Sequence, residues 1–176
     1  VSFLDDDDEF SPGFLAAIDS RTRDDPDTVL YCDFHVVMDG NDRTVPAAAP
    51  PVHAPIGHHD PSCVYVRNFI PNSCLIYPLH AVRGLTFDES LLLNEDWDFL
   101  LGAIQGRPLR HAPISGPIIH KTDRSKGDRR GAVNDDLLPE IMLRIYRKWP
   151  APATALREAR RSLFAAAGIT LPPGML

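Results

Sequence analysis

The chain has 176 residues, is 44% hydrophobic and carries a net charge of −6, ordinary values for one soluble globular domain with a sizeable core. The charge is uneven: residues 1 to 60 hold 13 acidic and 3 basic groups, residues 61 to 176 hold 11 and 15. That excludes the broad basic face of a nucleic-acid binder and suits an acidic, cation-holding wall opposite a basic, phosphate-facing one. Three cysteines, Cys32, Cys63 and Cys74, with no Cys-x-x-Cys, argue against a disulfide framework and a zinc ribbon, and point to a reduced, cytosolic setting. No apolar run approaches the ~18 residues of a membrane span.

In chain order, Val1-Ser2-Phe3-Leu4 reads as a buried strand emptying into Asp5-Asp6-Asp7-Asp8 and Glu9. A chain that opens inside a strand reads as an excerpt of a longer protein. In open α/β sheets, ligands bind beyond the carboxyl ends of strands, and a cluster of hard oxygen donors there suits Mn²⁺ or Mg²⁺ on a substrate diphosphate. An acidic run by itself is usually a solvated loop. Here it lies between an apolar run and a helix start, with Ser11 placed to cap and Pro12 at the first helical position. Phe14, Leu15 and Ile18 share one face of that helix, which is expected to run to about Ser20.

Val29 to Met38 is rich in β-formers and ends at Asp39-Gly40, so it reads as a strand and then a turn, with Asp33 and His35 on one face. Val45 to Pro61 is Ala- and Pro-rich, contains His53, His58 and His59, and reads as a surface excursion. Cys63 to Tyr77 holds two short apolar runs around the bend Asn68 to Asn72. Leu79 to Val82 reads as a helical turn stopped by Gly84.

Asn94 is placed to cap a helix whose first turn holds Glu95, Asp96 and Asp98, with Trp97, Leu100, Leu101 and Ile104 on one face. Acids in a first turn are favoured by the helix dipole alone, by about 0.3–1 kcal/mol each. Joined to the first acidic group they gain a second use, since a carboxylate set apart from a metal site can take a proton from an incoming hydroxyl. Ile114 to Ile119 reads as a strand ending at His120. The basic residues of 121–130 make a loop suited to closing over a diphosphate. Leu138, Ile141, Met142, Ile145 and Trp149 mark a helix ended by Pro150. Thr154 is placed to cap another, stopped by Gly168, with Arg157, Arg160 and Arg161 as an outer basic stripe that would touch a membrane surface or a lipid-linked acceptor.

Phe3 to Phe10, followed by Phe87-Asp88-Glu89 and Asn94-Glu95-Asp96-Trp97-Asp98-Phe99, resembles the Asp-x-Asp and Glu-Asp motifs of family 2 glycosyltransferases of the GT-A fold. The resemblance covers roughly residues 1 to 125. It implies an α/β fold: a partial, Rossmann-like GT-A mixed sheet lacking its N-terminal nucleotide-binding half. Residues 1–130 would be the C-terminal half of the catalytic domain and 131–176 a helical tail packed on it. It implies an inverting, Mn²⁺- or Mg²⁺-dependent transfer from a nucleoside-diphosphate sugar to a hydroxyl of a sugar, lipid-linked or protein acceptor, with no nucleic acid involved.

By position, Asp96 matches the catalytic base, Glu95 and Trp97 the acceptor pocket, and Asp5 and Asp7 the outer members of Asp-x-Asp. Asp7 is then the direct metal ligand, Asp5 faces both ribose and metal, and His120 resembles a third ligand. The run of four aspartates leaves the register open by one residue, with Asp6 and Asp8 as the other choices, and Asp6 also counts among donor-binding residues. Without the preceding half, the isolated chain is expected to bind donor weakly. A phosphoryl or nucleotidyl transferase, or a truncated non-catalytic fragment, are the competing readings. The expected location is cytoplasmic, extending to the inner face of the membrane.

Overall fold

The computed structural model describes residues 1–39, 50–122 and 137–172. Among these it is a mixed α/β structure with a mixed sheet of five strands and five α-helices. The strands are β1 (Glu9–Phe10), β2 (Val29–Asp39), β3 (Val52–Ala54), β4 (Leu75–Ile76) and β5 (Leu109–Thr122). The helices are α1 (Phe14–Asp24), α2 (Leu79–Val82), α3 (Glu95–Ala103), α4 (Leu138–Lys148) and α5 (Thr154–Ala166).

β2 is the hub. It pairs in parallel with β5 from Val29 opposite Leu109 to Asp39 opposite Thr122, and antiparallel with β4 at one end and β3 at the other. β1 closes the far edge antiparallel to β5, Glu9 opposite Ile118 and Phe10 opposite Pro117. The β2–β5 register slips at Cys32/Asp33 and again at Asp33/His35. Pro113 and Pro117 of β5 fall within those slips, where a residue without an N–H costs the ladder least.

The local readings hold in outline and shift at the ends. Val1–Leu4 lies extended but is not a strand: Val1 exchanges main-chain bonds with Tyr77 at 2.7 and 2.8 Å, and Ser2 then bonds the Leu75 carbonyl through its hydroxyl. One main-chain pair is too short a ladder. α1 begins not at Pro12 but at Phe14, after a turn in which Gly13 takes φ +83°, and Ser11 makes no side-chain cap. It runs on past Ser20 to Asp24, supported by the Asp19–Arg23 pair one turn apart.

Phe14 fits because Gly116 has no side chain. A Cβ there would stand 1.9 Å from the Phe14 ring. Between the strands expected in Cys63–Tyr77, residues Pro61–Tyr65 and Asn72–Cys74 form 3₁₀ turns instead, and only Leu75–Ile76 is extended. Thr154 is the first helical residue of α5 and Ala153 the cap, the Thr154 hydroxyl accepting from Arg157 at 2.9 Å.

The core is continuous from the sheet through α3 to the last two helices. Trp97 meets Tyr146 edge-on at 5.9 Å, and Tyr146 meets Phe164 at 5.9 Å. From Trp97 to Ala103 every residue of α3 is buried, where one apolar face was expected. The helix is central rather than amphipathic, with an aromatic cluster on one side and α4 on the other.

The basic stripe on α5 is broken. Arg160 is 0% exposed and donates to the main-chain carbonyls of Tyr65, Tyr146 and Trp149 at 2.6, 3.4 and 2.9 Å, its guanidinium over the Tyr146 ring. Burial brings it down to about 10, so it remains a cation at neutral pH. Among the described residues no helix is long and apolar enough to cross a membrane.

Candidate active site

The acidic turn is held from both sides by neutral donors. Asn72 Nδ2 donates to Asp5 at 3.1 Å, Ser73 Oγ donates to Asp8 Oδ2 at 2.7 Å, and the His120 amide donates to Asp8 Oδ1 at 3.2 Å. The Asp8 amide turns back onto the Asp5 carbonyl at 3.1 Å, closing the turn. His120 thus reaches the turn through its main chain, while its Nε2 lies 3.4 Å from Glu9 Oε1. Asp5 and Asp6 are exposed, Asp7 and Asp8 half-buried. Burial, with the nearby charges of Asp5 and Asp7, pushes the Asp8 carboxyl above the usual carboxylate range against the pull of Ser73 and His120.

The second acidic group begins at Asn94, the one non-glycine residue with positive φ (+60°) among the described residues. Asparagine tolerates that left-handed conformation better than most residues. It stands at the cap position without making a side-chain cap. The three acids after it part company. Glu95 is exposed, Asp96 is half-buried with Oδ1 accepting from the Trp97 amide at 2.7 Å, and Asp98 is 2% exposed. Asp98 meets Lys148 Nζ at 2.6 Å and Trp149 Nε1 at 2.8 Å. Trp97 packs into the core, 1% exposed, with Nε1 donating to the Val64 carbonyl at 2.7 Å.

An aromatic cluster joins the two groups. Phe3, two residues before Asp5, meets Tyr77, Phe87 and Phe99 edge-on at 6.0, 5.3 and 5.5 Å, and Phe87 stacks on Phe99 at 4.5 Å. Phe99 belongs to α3, three residues after Asp96. Tyr77 is fully buried and its hydroxyl has no hydrogen-bond partner among the described residues. Burial, then the charge of Asp96, pushes its phenol well above the ordinary tyrosine value. It therefore stays protonated beside Asp96.

Asn72, Ser73 and Tyr77 escaped the sequence reading as site-building residues, and Phe87 was noted there only as part of the Phe87-Asp88-Glu89 motif. The one available signal was the polar pair Asn72-Ser73 set between Phe69-Ile70-Pro71 and Cys74-Leu75-Ile76. A groove of ≈ 320 Å³ between α1 and the start of α2, lined by Leu15, Ile18, Asp19, Asp25, Ile76 and Leu79, contains no acid of the Asp5–Asp8 turn or of the first turn of α3. Of the expected phosphate-covering loop at 121–130, Lys121 and Thr122 belong to β5 and residues 123–130 lie outside the described residues, as does the turn at Gly40.

For a divalent cation, the donor types suit Mn²⁺ or Mg²⁺: carboxylate oxygens and an imidazole at one turn, with mutual repulsion that a dication relieves. Among the described residues no three His, Cys, Asp or Glu side chains form a group able to hold a metal ion as they stand. Comparison with protein-family models, with curated proteins and with solved structures finds no match.

Proposed function

We propose that this chain is the acceptor-side part of a GT-A-type inverting glycosyltransferase, resembling family 2, that moves a sugar from a nucleoside-diphosphate donor to an acceptor hydroxyl. The observation that carries the reading is the shared aromatic cluster: Phe3 ties the acidic turn, and Phe99 ties the Asp96 helix, to one Tyr77–Phe87 contact. Two acidic groups far apart in sequence are thereby seated on one support, as a donor site and a base must be.

In this reading Asp96 takes the proton from the acceptor hydroxyl as that oxygen attacks the anomeric carbon. The bond from that carbon to the diphosphate breaks, and its electron pair leaves with the diphosphate. Asp5 and Asp6 face the donor, with Asp6 and Asp8 replacing Asp5 and Asp7 if the register lies one residue later, and Glu95, exposed in the first turn of α3 beside Asp96, faces the acceptor. Asp7, Asp5 and His120 do not form a ready-made metal group as they stand, so a dication would have to draw them together, and it would then neutralise charge on the departing diphosphate. Ser73 and Asn72 fix the shape of the turn before any ligand arrives.

The test is sugar-nucleotide cleavage by the protein expressed from its whole coding sequence, with and without Mn²⁺. Nucleoside diphosphate is the expected product, and Asp96→Asn is expected to lower kcat about 100-fold or more, as loss of a general base does. Pyrophosphate as product would replace this reading with nucleotidyl transfer. Full activity in Asp96→Asn, or no cleavage of any sugar nucleotide, would end it.

A further inference from the structure

The sheet registers place a run of polar side chains on one face, next to the acidic turn. Partners in a register point to the same side, so Glu9 shares its face with Ile118, Ile118 with His35, and His35 with His53. Asp33 and Ser115 are partners on that face as well. The side chains then find one another. Ser115 Oγ lies 3.2 Å from His35 Nδ1, the His35 and His53 rings are 5.3 Å apart, His53 Nε2 is 3.9 Å from Asp33 Oδ2, and His111 Nε2 is 2.9 Å from Asp33 Oδ1.

Asp33 is the fixed point of this run. Its carboxylate accepts from the Ile56 amide at 2.8 Å, and Gly57 lies so close that a Cβ there would be 2.3 Å from the His111 ring. Burial alone would raise its carboxyl, but the amides of Ile56 and Gly57 and the His111 imidazole outweigh it and hold the group below the usual carboxylate range. The face is open at its β3 end, where the His53 side chain is 49% exposed. At its other end it meets the acidic turn through Glu9, the residue after Asp8, whose register partner Ile118 is also the partner of His35.

The composition of the face selects the ligand. It offers imidazoles that can donate at one nitrogen and accept at the other, a carboxylate and a hydroxyl. The cations of β5 are turned from it, since Arg110 and Lys121 sit one residue out of phase with His111 and His120, and Arg110 pairs with Asp25 at 3.0 Å. A phosphate or nucleic acid would call for Arg or Lys. An apolar protein partner would call for large hydrophobic side chains, and these positions carry few. An uncharged polyol is what alternating donors and acceptors fit.

We propose that the open part of this face of β2, β3 and β5, lined by His35, His53 and Ser115 and backed by the largely buried Asp33 and His111, binds a saccharide and holds it beside the acidic turn. As the identification of the acceptor class, this rests on the glycosyl-transfer reading above.

The experiment separates the two. The probes are p-nitrophenyl glycosides of glucose, galactose, mannose and N-acetylglucosamine, titrated against the whole protein while the histidine C2–H resonances are followed. At least one glycoside is expected to shift the resonances lost in His35→Ala and His53→Ala. The double variant His53→Ala/Ser115→Ala is expected to weaken that glycoside about tenfold, and to raise its KM as acceptor by the same factor with kcat and water-driven donor cleavage unchanged. His53→Gln, which keeps a donor and an acceptor on an exposed side chain, recovers most of the loss and shows that the fold was not the cause. If no glycoside shifts these resonances, or if the double variant binds as wild type does, the saccharide site is refuted whatever the donor assay shows. Glycoside binding at these histidines without any donor cleavage keeps the site and removes the transfer reading.

Discussion

Among the described residues, the carboxylates of Asp5 and Asp8 in the turn Asp5–Asp8 meet neutral donors: Asn72, Ser73 and the His120 amide. At the start of α3, Asp98 instead meets the ammonium of Lys148 and the indole of Trp149, with Asp88 and Arg144 close by. Both stretches place several acids within four residues, and the difference lies in what the rest of the fold brings to them. An acid given its own cation is committed to holding helices together. Acids given neutral donors keep their charge on offer, at the cost of repelling one another. Within α3 the division is finer still, since Asp96 is left half-exposed two residues from the committed Asp98.

The most severe way to test this contrast is Asp98→Ala. Removing one partner of a buried pair is expected to cost about 3 kcal/mol, at the low end of the usual range because Lys148 can reach water. Urea unfolding reads it, and a loss under 1 kcal/mol would mean that α3 and α4 do not depend on the pair. Gly116→Ala comes next. The new Cβ displaces Phe14 and is expected to destabilise by about 1–3 kcal/mol, with the near-ultraviolet signal of the aromatic residues changed.

Asp33→Asn sharpens the comparison through pH. Because the folded Asp33 carboxyl lies below its unfolded value, its contribution is present above that value and is lost as pH falls through the folded one. The variant should be about 1–3 kcal/mol less stable at pH 7, with the gap closing as pH falls below the usual carboxylate range. Asp8→Asn should have the smallest effect and the opposite slope. The folded Asp8 is raised, so ionising it costs stability as pH rises from the ordinary carboxylate value through the raised one. The variant lacks that decline and should differ from wild type by no more than about 1 kcal/mol at pH 7. A loss as large as that of Asp98→Ala would erase the distinction between the two acidic stretches.

Much of the scaffold was legible because its signals are local. The β-formers of Val29–Met38, the periodicity of α4 and the Pro150 stop each depend on neighbours in sequence, and each element stands where it was expected. The acids were visible as clusters for the same reason. What each acid does was not visible, because it is decided by residues brought from far away: Ser73 and His120 to Asp8, Lys148 and Trp149 to Asp98. The start of α1 misled, because Gly13 took positive φ and displaced the helix to Phe14; α3 starts where expected, with Asn94 at the cap position, but the left-handed conformation of Asn94 stands in place of a side-chain cap. The outer basic stripe on α5 failed because a guanidinium with three carbonyls to serve can be buried whole.

That last residue carries a consequence for how the protein tolerates change. Arg160 addresses the main chain of residues 65, 146 and 149 rather than their side chains, so the bonds it makes survive replacement of those neighbours. Substitution can therefore drift around it, while Arg160 itself has no substitute: lysine lacks the forked geometry, and a neutral residue would strand three carbonyls in the interior. Such a position acts as a keystone among interchangeable stones, and it joins the last two helices to the loop that also seats Trp97.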